Sequence, residues 1–211
     1  MKFQLPSFSR PVAVLMGAVC LAGALSACAP LVVGTAMGTG VLVATDRRTS
    51  GAQLEDQGIE LRAGSRLRDQ FGDRARVVVT SFNRRVLLTG EVPSEADRAA
   101  AVRIVGGVEN VREIVDELAV MTSPSFTARS SDALVTARVK AAMVDASDLQ
   151  ATAVKVLTER GTTYLMGRVT QREAERATEI TRSIPGVQGV VRVFEIITDD
   201  ELRRLQAAPA K

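Results

Sequence analysis

Val86-Leu87-Leu88-Thr89-Gly90-Glu91-Val92 superimposes on Tyr164-Leu165-Met166-Gly167-Arg168-Val169 when Gly90 is set on Gly167. Working outward, each stretch is followed by a charged, alanine-rich segment, residues 94–105 and 171–184. Each then reaches a Gly-Val step, Gly107-Val108 and Gly186-Val187, and a closing apolar run, residues 111–120 and 190–197. Upstream, residues 76–82 match 153–158, and 59–71 match 132–144. The chain therefore carries one unit of about 65 to 70 residues twice, and fold reasoning starts from that unit.

Within the unit the periodicity reads helix, strand, strand, helix, strand. Leu134, Val135, Arg138, Val139, Ala142 and Met143 recur at helical spacing, with Asp132 as N-cap after two serines. Val77 and Val79 open an alternating strand, and Asn83 or Gly161 supplies a residue tolerant of positive φ for a hairpin turn. Ala96, Ala100 and Ile104, or Ala174, Ala177 and Ile180, give the second helix a narrow apolar face. Gly90 and Gly167 are read as structural glycines where a strand turns into that helix, with Gly107 and Gly186 as their downstream counterparts. The fold class is α+β: two tandem αββαβ domains, each a three-stranded mixed sheet packed against two helices. Each is small, so mutual packing is expected to supply part of the stability.

Composition narrows the chemistry. An apolar fraction of 46% in 211 residues supports packed cores, whereas 3% aromatics and no Trp leave no stacking platform for bases. With no His, the commonest general base and metal ligand are missing. The best carboxylate pair for catalysis, Glu173 with Glu175, is two apart on a helix and does not face one site. The reading is a non-enzyme, with no cofactor and no metal. Nucleic acid is not expected either: without Lys2 and Arg10 of the leader, 25 basic side chains meet 24 acidic ones.

The first 27 residues read as a signal peptide. Lys2 and Arg10 form a positive region, and residues 12–25 are an uncharged apolar stretch too short to span a bilayer. It closes in Leu25-Ser26-Ala27-Cys28, which resembles the bacterial lipobox, with Cys28 as the lipidated residue. An ordinary signal with a chance cysteine, or an uncleaved helix, is the competing reading. Lipidation at Cys28 with two or three acyl chains would anchor the protein stably. Ala29 in place of an aspartate directs it, by the sorting pattern of such lipoproteins, to the outer membrane. Residues 28–53 read as the lipidated cysteine and a flexible tether, and Asp46, Arg47 and Arg48 mark its exit into water. Gly34 and Gly38 also match a helix-dimerisation spacing, in a stretch short for that purpose.

These features together resemble the BON domain family, whose mark is a glycine after a strand, a helix, then Gly-Val before a last strand. Paired behind a lipobox, they are similar to the dual-BON outer-membrane lipoproteins associated with envelope integrity and the division site. Further stretches that carry the resemblance are residues 45–49 (Thr-Asp-Arg-Arg-Thr) and 165–174. It sets the domains at 54–122 and 131–198, with a linker at 123–130 and a tail at 199–211 that has room for a short helix.

The resemblance implies binding of anionic phospholipid, such as phosphatidylglycerol or cardiolipin, through the first helix of the second domain, residues 131–144, without catalysis. Relatives carry an exposed aromatic near the start of that helix, and this chain has Leu134 there. Independently, residues 54–122 hold 10 Arg against 12 acidic residues, and 125–198 hold 10 basic against 8 acidic. The second repeat is the basic one. Leu134, Arg138 and Ala141 share a stripe with Lys140 and Arg129 nearby, so apolar and cationic contacts are expected to meet the inner leaflet of the outer membrane from the periplasm. The alternative is a lipid-anchored scaffold that binds an envelope protein, for which sheet edges are available.

Overall fold

The structure, a computed structural model, describes residues 46–121 and 126–207. The signal peptide, Cys28, the tether up to residue 45, residues 122–125 and residues 208–211 lie outside the described residues. The first domain runs α1 (Ser50–Phe71), β1 (Arg76–Phe82), β2 (Arg85–Val92), α2 (Glu95–Gly106) and β3 (Glu113–Val120). The second runs α3 (Phe126–Asp145), β4 (Val154–Glu159), β5 (Thr162–Val169), α4 (Gln171–Arg182) and β6 (Gly189–Ile196), and α5 (Asp199–Ala207) follows.

Each sheet has its second strand in the middle, antiparallel to the first and parallel to the third, so it is mixed as expected. The hairpins close at Asn83-Arg84 (φ +52° and +66°) and Arg160-Gly161 (φ +52° and +72°). Two successive positive φ values make a primed turn, whose twist suits adjoining strands. The crossover helices start on clear caps: the Ser94 hydroxyl accepts from the Asp97 N–H, and Thr170 with Glu173 forms a full capping box.

Gly90 and Gly167 lie inside β2 and β5, not at the strand-to-helix corner expected for them. Both sit where the neighbouring strand comes too close for a side chain. A Cβ on Gly90 would lie 1.9 Å from the Arg76 carbonyl oxygen, and one on Gly167 2.3 Å from that of Ala153. Gly90 also has φ +113°, which only glycine adopts freely. Gly186 stands in the turn before β6, whereas Gly107 caps α2 at φ −84° with ordinary space around it, so no steric demand explains it as a structural glycine.

Among the described residues three apolar clusters form the core. Ile59, Ala63, Leu67 and Phe71 of α1 pack with Val86, Leu88 and Val92 of β2 and Ala101 and Val105 of α2. Val135, Val139 and Met143 of α3 pack in the same way with Leu165, Val169, Ala174, Ala177 and Ile180. The face expected for α4 is therefore the buried one. In α2 the face is rotated, because Ala101 and Val105 carry the burial while Ala96 is exposed.

The third cluster joins the domains. Phe82 and Leu87 from one sheet meet Tyr164, Met166 and Val193 from the other. Strand alternation explains it: Leu87 lies between Val86 and Leu88 and points away from the helices. The two sheets thus pack face to face, with α1 and α2 on one outer side and α3 and α4 on the other. Charged groups ring this contact. Glu91, 1% exposed, receives Arg76 at 3.1 Å and Arg160 at 2.8 Å, and Lys155 pairs with Glu60 at 2.9 Å.

Candidate functional site

Two helix boundaries differ from the sequence reading. Helix α1 begins at Ser50, where the Thr49 hydroxyl accepts from the Ala52 N–H, so the segment assigned to the tether ends earlier than residue 53. Helix α3 begins at Phe126, inside the expected linker. Asp132 consequently lies within α3 and is no N-cap. Its buried carboxylate accepts the N–H of Arg160 (2.8 Å) and of Gly161 (2.9 Å), pinning the second hairpin turn. Asp56 holds the first turn likewise, accepting from the N–H of Asn83 and Arg84 at 2.7 and 2.8 Å. Asp56 thus corresponds to Asp132 and Ile59 to Val135, three residues off the alignment that set Ile59 on Asp132.

With Val135, Val139 and Met143 turned inward, α3 presents its other side to solvent. Leu134, Ala137, Ala141 and Val144, spaced three and four apart, form an apolar stripe, with Leu134 59% and Val144 72% exposed. Arg138 flanks the stripe on one side and Lys140 on the other, both exposed and without an ion pair among the described residues. Arg129, also exposed, is about three turns before Lys140 and on the same side. Every lipid-binding residue expected from sequence therefore lies on the outer side of one helix, and Ala137 and Val144 complete a stripe that sequence reading left unfinished.

Part of the second repeat's positive charge is used internally. Lys155 and Arg160 pair with the first domain, Arg168 pairs with Glu195 (2.9 Å) and Glu201 (2.6 Å), and Arg176 with Asp148. Helix α1 has its own exposed leucines, Leu54 and Leu61, but beside them Arg62 is neutralised by Glu55 at 2.8 Å.

The strongest polar constellation lies elsewhere. Glu173, at the start of α4, takes both guanidinium nitrogens of Arg47 at 2.6 and 2.8 Å and the Thr170 N–H at 2.9 Å. Burial alone would push its carboxyl up, but the hydrogen bonds from Arg47 and Thr170 outweigh it, so the group titrates below the usual range. Asp56 behaves alike: burial raises it, but bonds from Arg84, Ser81, Asn83 and Arg48 outweigh that and bring it below its usual range. Glu175 bonds Gln171 instead and joins no site with Glu173. Arg47 is buried, not a marker of exit into water. Among the described residues no cluster of three potential metal ligands occurs, and no helix is long and apolar enough to cross a membrane.

The BON domain model matches residues 55–122 and again 131–198. The chain belongs to the BON domain family. Within it, the chain is 36% identical over 190 residues to the outer membrane lipoprotein DolP of Haemophilus influenzae, across 89% of this chain and 96% of that one. It is 31% identical over 154 residues to the 21 kDa hemolysin of Actinobacillus pleuropneumoniae, covering 72% of this chain and 79% of the relative. The osmotically-inducible protein Y of Escherichia coli is 27% identical over 144 residues, covering 66% and 72%. Two BON domains and a relative matched almost end to end place the chain in the dual-BON outer-membrane lipoprotein family, as the sequence resemblance implied.

Proposed function

We propose that this BON-family protein is a non-enzymatic outer-membrane lipoprotein, anchored through Cys28 on the periplasmic side, whose second domain touches anionic phospholipid with the outer face of α3 to support envelope integrity, including at the division site. One observation supports the contact above others: an exposed apolar stripe flanked by two cations that no carboxylate among the described residues neutralises. Partial burial of Leu134 and Val144 contributes about 1–2 kcal/mol. Arg138 and Lys140 add about 1 kcal/mol each beside an anionic surface. A sum of about 3–4 kcal/mol is weak for a free domain, and becomes effective when a lipid at Cys28 holds the domain close.

The test is co-sedimentation of the unlipidated body with phosphatidylglycerol or cardiolipin vesicles, against neutral phosphatidylcholine. Sedimentation is expected with the anionic vesicles and is expected to be lost in Arg138→Glu/Lys140→Glu. Equal recovery of that variant would refute the contact.

A second reading, a lipid-anchored scaffold for an envelope protein, draws on exposed Leu54 and Leu61 of α1, on the side away from α3. Crosslinking in cells from Leu61 to one stoichiometric partner would favour it.

A further inference from the structure

The four residues preceding α1 are tied to both domains at once. On the first domain, Arg48 pairs with Asp56 at 2.8 Å and lies over the Phe82 ring, 4.1 Å from its centroid, and Thr49 caps α1. On the second, Arg47 makes the bidentate pair with Glu173 and donates to the Arg168 carbonyl (2.8 Å) and to Gln150 (2.9 Å). Both partners of the Arg47–Glu173 pair are nearly excluded from solvent, at 4% and 6% side-chain exposure. They are 126 residues apart in the chain. A pair this buried, bidentate and further bonded is geometrically specific. Asp46 braces the strap by accepting from the Arg48 N–H and guanidinium.

The consequence concerns where the anchor starts. By sequence the tether adjoins the first domain, yet at Arg47 its root is also held against the second, beside the start of α4 and Gln150, just past the end of α3. We infer that residues 46–49 are a positioning clamp, in which Arg47 delivers the lipid-linked segment to the domain that presents α3, so that anchoring and α3 contact act on the same side of the molecule. This rests on the lipid-contact reading above. Arg47 is a positioning residue and touches no lipid.

The magnitudes make the effect partial. Four strap residues span about 13 Å when extended, the radius over which a released root would swing. Release therefore frees the root to move by about 13 Å. Eighteen residue steps still separate Cys28 from Asp46. The local concentration of α3 at the bilayer should fall without vanishing.

The test uses the full lipidated chain in anionic vesicles, with two independent readouts. Beyond Cys28, blocked by lipid, the mature sequence has no cysteine, so introduced labels are unique. A spin-label pair at Thr45→Cys and Arg172→Cys reports the strap. An environment-sensitive dye at Val144→Cys reports burial of α3 in lipid. In the unaltered background a narrow distance distribution and a blue-shifted dye are expected. Arg47→Ala, or Glu173→Gln if the alanine variant fails to fold, should broaden the distances and lose much of the blue shift, with Arg47→Lys closer to the unaltered protein. An unchanged distance distribution in Arg47→Ala overturns the clamp. Broadened distances with an unchanged blue shift overturn its delivery role and leave lipid contact standing. A dye that stays in water in the unaltered protein refutes lipid contact itself, and delivery with it, whatever the distances show.

Discussion

Tyr164 is the only tyrosine, there is no Trp, and it sits in the sheet-to-sheet cluster at 2% exposure, so its phenol is a single-residue reporter of the domain interface. Burial pushes its pKa from 10.0 to about 12, assisted by the negative charge of Glu117, whose carboxylate accepts from the hydroxyl at 3.4 Å, and opposed by Arg160. The sign follows from linkage. Below pH 10 both folded and unfolded chains hold the proton; above it the unfolded chain releases first, so the folded state binds more protons and stability falls as pH rises. A shift of two units corresponds to about 3 kcal/mol, lost between pH 10 and about 12. The assay is phenolate absorbance against pH, with circular dichroism read on the same samples. The expected midpoint is about 12, or coincident with unfolding, and near 10 in denaturant. Glu117→Gln should lower the midpoint only in part, because burial is the larger cause. Phenolate appearing near pH 10 while the dichroism stays native would mean that water reaches Tyr164, and the packed sheets would be wrong.

Other consequences are direct. Gly90→Ala meets both a carbonyl clash and a positive φ and should cost about 3–4 kcal/mol, whereas Gly167→Ala meets the clash without the positive φ and should cost about 2 kcal/mol. Urea unfolding measures both, and equal costs, or a change below about 0.5 kcal/mol in either, would contradict this account of the glycines. Asp56 and Glu173 titrate lower in the folded chain, so their stabilisation is intact above the ordinary carboxylate range and is lost as pH falls through it. Melting temperature should therefore be flat near neutrality and drop below about pH 4.5. The drop should be shallower in Glu173→Gln, and an identical acid limb would refute the assignment. A dye at Leu134→Cys should shift with anionic vesicles and one at Leu61→Cys should not, since Glu55 already neutralises Arg62 beside Leu61.

What could be read in advance divides along the range of the interactions. The strands, hairpin turns and crossover helices are local objects, written as alternation, a turn dipeptide and a cap, and the repeat supplied a second copy of each as a check. Their placement was legible to within a residue or two. The glycines were recognised but misplaced, because what demands Gly90 is the carbonyl of Arg76 on the neighbouring strand, and no local pattern encodes that approach. Asp132 was misread for the opposite reason. Ser-Ser-Asp before an apolar run is a good local cap, and a hairpin 28 residues away outbid it with two backbone N–H groups. The same contact explains the slipped alignment: the turn-pinning aspartates, not the apolar residues that follow them, set the helices in register.

The site shows the same division at larger scale. Leu134, Arg138 and Ala141 could be placed on one stripe because helical spacing is local, and the structure adds Ala137 and Val144 to it. The charge count of the whole repeat was a poorer guide. Among the described residues Lys155, Arg160, Arg168 and Arg176 are paired within the fold, the first two with the other domain, so the ten basic residues counted overstate the charge left for the outer face. Arg47 shows the limit. In sequence it is one of two adjacent arginines after an uncharged stretch, a pattern that fits a solvated exit, and its partner lies 126 residues on. A residue's neighbours predict its conformation well and its charge partner badly, because a buried ion pair is chosen by the fold from everything the fold brings near. Here that choice ties the residues before α1 to the second domain.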